Sequence, residues 1–114
     1  MQNFPLVSVI CLSYNHEAYV VEALNSVINQ TYPNIELLIA DDCSSDNSIG
    51  VIKDWVKNHP EVHFSSNEKN LGNTKTFNQL AKIAKGEFII DLAADDLLVP
   101  NCIEKQVTTF QNSK

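Results

Sequence analysis

The 114 residues contain no arginine, and 8 lysines face 14 Asp and Glu, for a formal net charge of -6. Arginine supplies the planar fork that grips phosphates and base edges, so an acidic chain without it is a poor nucleic-acid binder. Cysteine is sparse and scattered. Cys11, Cys43 and Cys102 form no CxxC pair, which argues against a structural zinc site and against a disulfide framework. They read as reduced thiols, two of them in or beside apolar runs, in a cytoplasmic protein. No uninterrupted apolar run approaches the ~20 residues of a membrane span. The opening Met1-Gln-Asn-Phe-Pro5 has neither a basic n-region nor an apolar h-region, so no secretory signal is expected. No GxGxxG follows the first apolar run and no GxxxxGK[ST] occurs anywhere, which excludes the usual dinucleotide fingerprint and the P-loop. Any phosphate here has to be met by something other than a glycine-lined helix start and a lysine.

What is present is ordinary globular material, 44% hydrophobic and 19% charged, enough to bury a core and too apolar for disorder. Leu6–Leu12 is a short β-branched run without strict alternation, the mark of a strand buried on both faces. Residues 18–30 set Val20, Val21, Leu24, Val27 and Ile28 at helical spacing, and Tyr32-Pro-Asn34 ends that helix. Residues 35–40 form a second buried strand. The loop Asp41–Asp46 can cap the next helix through Ser45 or Asp46; that helix carries Ile49, Ile52, Trp55 and Val56 and stops before Pro60. A weaker strand covers 62–65. A polar loop then leads to a helix with Phe77, Leu80, Ala81 and Ala84 inward and Gly86 expected as its C′ cap. A fourth strand covers 87–91, and a last helix starts at Pro100 with Ile103, Val107 and Phe110 as its stripe.

The order β-α-β-α-β-α-β-α predicts an α/β fold, with a mainly parallel sheet wound by right-handed crossovers and helices on its faces. There is no repeat, linker or low-complexity tract. Four strands make a thin sheet and Ser113-Lys114 follows a helix without a closing strand, so the 114 residues are expected to be the front part of something longer.

In open parallel sheets ligands bind outside the carboxyl ends of the strands. At that edge the first strand ends in Ser13-Tyr14-Asn15, the second in Asp41-Asp42, and the fourth in Asp91, with Asp95-Asp96 close behind. Each Asp pair alone is equally well explained as a loop with a helix cap. Together they point to a site, because like charges brought close are costly unless a cation lies between them or protons are taken up. A cluster of hard oxygens suits Mg²⁺ or Mn²⁺, which in turn can hold a diphosphate. His16, His59 and His63 have no ligand spacing and read as structural or exposed.

The run Val7-Ser-Val-Ile-Cys-Leu-Ser-Tyr-Asn15 resembles the opening strand of the family 2 inverting glycosyltransferases, which have the GT-A fold. The likeness continues through Glu22–Asn34, Glu36–Asp46, Asn70-Leu-Gly72, Asn78 and Ala84–Ile89, and reaches Ala94-Asp95-Asp96 at the place of the family's DxD-type metal motif. The resemblance implies a Rossmann-like three-layer α/β/α architecture, truncated, and a nucleotide-sugar donor site. Leu12, Ser13, Tyr14 and Asn15 would wrap base and ribose, with Tyr14 stacking on the base and Glu17 near the same turn. Asp42 would accept the base ring N–H, which favours uracil or thymine. Asn70, Gly72 and Asn78 would close over the nucleotide. Asp95 would lie by ribose and diphosphate, and Asp96, with Asp95 beside it, would hold the divalent cation, Mn²⁺ or Mg²⁺. Ala93 stands where the family often has a further Asp, and Phe77 where many members have Arg.

The implied activity is transfer of a sugar from a nucleotide-diphospho-sugar to an acceptor hydroxyl with inversion, in cell-surface polysaccharide or glycan synthesis. UDP-sugar is the default donor, with dTDP- and GDP-sugars as alternatives; the acceptor is a saccharide or a lipid-linked molecule. No catalytic base is assigned, because the family's base lies in an acceptor half beyond the metal motif. Residues 1–114 would therefore bind donor weakly and not transfer sugar unaided. A cytoplasmic place, at the inner membrane face through the missing part, and homodimerisation through an unprotected sheet flank complete the expectation. The competing readings are a nucleotidyltransferase, which should carry a glycine- and basic-rich loop after the first strand; a receiver-type signalling module, which should carry its acid pair there; and a non-catalytic nucleotide-binding fragment.

Overall fold

The computed structural model describes residues 4–112. The expectations attached to Met1–Asn3 and to Ser113–Lys114 lie outside the described residues. Eight elements alternate: β1 (Val7–Ser13), α1 (Val20–Ile28), β2 (Ile35–Asp41), α2 (Ser48–Val56), β3 (His63–Ser66), α3 (Asn73–Ile83), β4 (Phe88–Ala93) and α4 (Cys102–Asn112). The sheet order is β3-β2-β1-β4, with every pairing parallel. The expected α/β class and element order hold.

β1 is paired on both edges and buried on both faces. Val7, Val9 and Cys11 enter a large core with Val20, Ala23, Leu24 and Val27 of α1, Ile52 and Trp55 of α2, and Ile103 and Val107 of α4. Ile10 enters a smaller core with Leu38, Ala40 and Leu80, the last from α3. Helices therefore lie on both faces, but α3 covers its face alone. Each fully buried Val, Leu or Ile contributes about 1.5–3 kcal/mol, so most of the hydrophobic stabilisation sits on the three-helix side. Burial also pushes the Cys11 thiol up to about 12, with the nearby Asp91 charge adding to it. All three cysteines are free. Among the described residues no helix is long and apolar enough to cross a membrane.

Several boundaries differ from the sequence expectation for identifiable reasons. β4 runs on to Ala93 because Leu92, paired with Cys11, is buried; Asp91 thus lies inside the strand rather than at its end. α1 begins at Val20, since His16 O accepts the N–H of both Tyr19 and Val20 and closes a turn first. Ile28 is 43% and Phe110 57% exposed, so neither completes its stripe; Phe110 instead tilts against Phe88 with ring centroids 4.9 Å apart. The N-cap of α2 is Asn47, with no side-chain cap bond. Asp46, one residue earlier, instead accepts the Ser48 N–H at 2.9 Å.

Gly86 is not a left-handed helix cap. α3 ends at Ala84 in extended conformation, and among the described glycines only Gly72 has positive φ. A Cβ on Gly86 would sit 2.6 Å from the Ser8 backbone N and 2.9 Å from Leu6 O. Glycine is needed there because the chain passes flat against the central strand. Gly86 N–H donates to Ser8 Oγ, and the Lys85 N–H and Ser8 hydroxyl both donate to Glu36 Oε1. Gly86→Ala should cost about 1–3 kcal/mol, read as a lowered urea midpoint with unchanged m-value, because backbone cannot yield as a flexible side chain would.

Candidate functional site

The strand order reverses between β1 and β4: β2 and β3 lie to one side of β1 and β4 to the other. A crevice opens there at the carboxyl ends. It is a cleft of about 470 Å³. Leu12, Tyr14 and His16 line it from β1 and the turn after it; Asp91, Ala93 and Asp96 line it from β4 and its loop. Asn73, Thr74, Phe77 and Asn78, from the first turns of α3, make the third wall. Of the residues singled out in the sequence, Leu12, Tyr14, Asn78, Asp91 and Asp96 line this cleft, and Tyr14 is 44% exposed. Ser13 lies at the end of β1, buried, its hydroxyl without a hydrogen-bond partner among the described residues.

The other expected site residues shape the loops around the cleft. Asp42 is buried. Its Oδ1 accepts the Asn67 side-chain N–H at 2.9 Å and the Leu71 amide at 2.7 Å, while Oδ2 accepts the Gly72 amide at 2.9 Å. Asn70 Nδ2 reaches Asp42 O at 3.5 Å. The Leu71 and Gly72 amides thus hang on the Asp42 carboxylate and Asn70 on its backbone carbonyl, and Gly72, at φ 89°, turns the chain into α3. Burial pushes the Asp42 carboxyl up, but the donors from Asn67, Leu71, Gly72 and Thr76 outweigh it and hold the group below its ordinary value.

Asn15 and Glu17 tie the β1–α1 turn to the β2–α2 loop. Asn15 Oδ1 accepts from the Ser45 amide at 2.8 Å and the Asp46 amide at 3.3 Å, and its own N–H donates to Ser44 Oγ at 2.9 Å. Glu17 N–H donates to Asp46 Oδ2, and Glu17 Oε1 accepts the Asn47 N–H. Burial raises the Asp46 carboxyl, yet the Ser48 hydroxyl, the Ser48 and Glu17 amides and the nearby His16 hold it low. Asn15 and Cys43 adopt left-handed φ values of 57° and 63°. Asparagine tolerates this region; for cysteine it costs about 1–2 kcal/mol.

The two Asp pairs share the carboxyl edge but do not converge on one point. Asp41, fully buried, spends its oxygens on the Ser44 amide at 2.8 Å and the Ser44 hydroxyl at 2.5 Å. Asp42 carries the three loop bonds described above. Among the described residues no three His, Cys, Asp or Glu side chains form a ready-made metal cage. The cleft instead offers Asp91 and Asp96, both exposed, with Asp95 beside them. Open carboxylate oxygens fit Mg²⁺ or Mn²⁺, which take one or two carboxylates and complete their shell with water and substrate phosphate.

Several participants were not singled out in the sequence. Asn73 and Thr74 open α3 beside the cleft; a glycine followed by a helix start was their only signal. Asp91, expected at the end of the fourth strand, reaches the cleft from within β4, because it lies on the α3 side of that strand. His16 had read as structural or exposed. It lines the cleft, with Nδ1 accepting the Tyr14 amide at 3.1 Å and Nε2 standing 3.8 Å from Asp95 Oδ2.

The loop carrying Asp95 and Asp96 is lashed down at both ends. On the sheet side the Ala94 amide donates to Leu12 O and the Asp96 amide to Ala93 O. On the far side the end of α1 holds it. Gln30 Nε2 donates to Val99 O at 2.7 Å, Gln30 Oε1 accepts the Ile103 amide at 3.0 Å, and Ser26 Oγ accepts the Leu98 amide at 3.1 Å.

Two expectations follow from this wiring. Asp42→Asn places an amide N–H where amide donors already point, and should cost about 2 kcal/mol at pH 7. Because the folded pKa of Asp42 lies below its unfolded value, its contribution is present above that unfolded value and lost as pH falls through the folded one. The stability gap between parent and variant in urea titrations should therefore narrow below the ordinary 3.8 of the group. Gln30→Ala should cost about 1–3 kcal/mol and accelerate amide exchange at Ile103, measured by hydrogen–deuterium exchange.

Known proteins resemble this chain in sequence and in fold. An uncharacterized glycosyltransferase of Haemophilus influenzae is 36% identical over 113 residues, covering 99% of this chain and 35% of its own length. Chondroitin synthase of Escherichia coli is 33% identical over 111 residues, covering 97% of this chain and 16% of itself. The chain thus spans only about a third or less of these relatives' length. Among solved structures, S. aureus TarS 1–349 in complex with UDP-GlcNAc superposes with a TM-score of 0.83 at 30% identity, over 94% of this chain and 31% of that one. Mannosyltransferase PcManGT from Pyrobaculum calidifontis, in complex with GDP-Man and Mn²⁺, gives 0.76 at 26% identity, over 83% and 29%. The family profile described as Glycosyl transferase family 2 matches residues 8–114, and the chain belongs to that family.

Proposed function

We propose that this chain is the donor-binding part of an inverting glycosyltransferase acting in cell-surface polysaccharide or glycan synthesis. The observation that carries the reading is the cleft at the β1/β4 reversal, with a half-exposed aromatic ring at one side and open carboxylates at the other. A nucleotide needs both, a flat face for its base and a place for the charge of its phosphates. Support comes from TarS and PcManGT, crystallised with UDP-GlcNAc and with GDP-Man and Mn²⁺.

In this reading Tyr14 stacks on the base and Leu12 and Ser13 shape the floor beneath it. Asp42 accepts the base ring N–H with the lone-pair capacity its loop bonds leave, so uracil is the first base to test. Asn15 and Glu17 serve the donor by fixing the turn that presents Tyr14, and Asn70, Gly72 and Asn78 close the α3 side. Asp96, with Asp95, would hold Mn²⁺ or Mg²⁺, whose charge when bound offsets that of the departing diphosphate. The acceptor hydroxyl attacks the anomeric carbon from the face opposite the diphosphate, and its proton goes to a carboxylate of an acceptor half. No residue of this chain is assigned that role.

Calorimetry with UDP, with and without Mn²⁺, tests the reading. Binding should be tighter with metal, and Asp96→Asn should weaken the metal-dependent part at least about tenfold while leaving the metal-free part intact. Absence of UDP binding under both conditions would refute the proposal. Sugar transfer by the 114 residues alone would refute the assignment of the base elsewhere.

A further inference from the structure

The cleft is acidic on its β4 side, with Asp91 and Asp96 in the wall and Asp95 alongside. Among the described residues no lysine lines it, and the chain has no arginine. The one basic side chain among its described lining residues is His16. Its backbone is fixed from several directions: its N–H donates to Ser48 Oγ at 2.9 Å, and its carbonyl accepts the amides of Tyr19 and Val20 at 2.9 Å. The ring is fixed as well. Nδ1 accepts the Tyr14 amide at 3.1 Å, so in the neutral imidazole the proton resides on Nε2. That N–H faces Asp95 Oδ2 across 3.8 Å, outside hydrogen-bonding range. A donor whose tautomer is set by the fold, a quarter exposed and unspent on protein, is thus held over the crevice.

We propose that His16 is a phosphate-binding residue of this cleft, its Nε2–H donating to a phosphate oxygen of the bound nucleotide. The inference rests on the donor-binding reading. A nucleotide with its base on Tyr14 and its diphosphate reaching toward Asp95 and Asp96 would carry its phosphates past the ring that bonds the Tyr14 amide through Nδ1 and faces Asp95 through Nε2. The neutral ring suffices, so the contact does not require imidazolium. It also supplies a donor from the protein, independent of any cation, where the charged side chains of the described lining are carboxylates.

Two substitutions separate the ends of the ring. His16→Asn keeps an acceptor near Nδ1 for the Tyr14 amide but has no donor at the reach of Nε2. His16→Gln places a donor at that reach. With UDP as probe, His16→Asn should weaken binding about tenfold, and His16→Gln less than about threefold. Uridine, which has no phosphate, should bind both variants as it binds the parent. Equal UDP affinity in parent and His16→Asn would overturn the inference, as would a parallel loss for uridine, which would mean that His16 acts only through the Tyr14 turn. Should either variant fail to fold, the imidazole ¹⁵N spectrum of the unsubstituted protein decides. UDP should move the Nε2 resonance and uridine should not; an unmoved Nε2 at saturating UDP overturns the inference. Failure of the unsubstituted protein to bind UDP or uridine at all would instead strike the donor-binding reading itself.

Discussion

A strand enclosed on both faces and both edges can satisfy its backbone only through its neighbours, and β1 is that strand. Its register with β2 fixes where Asp41 and Asp42 emerge beside Ser13, and its register with β4 fixes where Ala93 stands beside Leu12. Every residue of the cleft is therefore placed relative to the carboxyl end of β1. Its pattern allows little alternative: a one-residue slip would exchange Val7, Val9 and Cys11 for Ser8 and Ile10 on the three-helix side. Even Ser8, polar and fully buried, is accounted for by Glu36 and Gly86.

Around that strand the protein uses carboxylates as loop-forming devices. Asp41 closes the turn at Ser44, Asp42 gathers the segment before α3, and Asp46 holds Ser48 and Glu17. Each accepts amide protons that would otherwise be left without partners in tight polar turns, and charge-assisted bonds of this kind are the stronger ones. The acidity of the chain is thus partly architectural. Only Asp91, Asp95 and Asp96 remain with oxygens turned to solvent at the cleft side.

This division explains what the sequence could and could not reveal. The strands and helices were legible because burial writes its period into apolar residues: Val20, Leu24 and Val27 on α1, or Ile52 and Trp55 on α2, could only face a core. The carboxyl-end location of the site was legible from topology alone, since parallel winding leaves few places for a crevice. Side-chain hydrogen bonding across the loops was not legible, because Asn15 and Ser45, or Asp42 and Leu71, meet only after the chain has folded. Reading Asp41 and Asp42 as convergent on Asp95 and Asp96 overlooked the backbone amides competing for the same oxygens. That His16 lines the cleft was not legible for the same reason, since Ser48 and Asp95 come from separate stretches. Gly86 was assigned the common use of glycine at a helix end, whereas the close approach of Leu6 and Ser8 gave it another.

The bonds that fix the cleft's loops run between Asn15 and Ser45, Asp42 and Gly72, and Gln30 and Ile103. Each joins stretches far apart in sequence, so the loops are tied to one another across the fold. A cleft tied in this way can recur in proteins of very different size. Matching segments do occupy a third of one relative and a sixth of another. Exchange of flanking regions would then vary what surrounds the cleft without disturbing the loops that shape it.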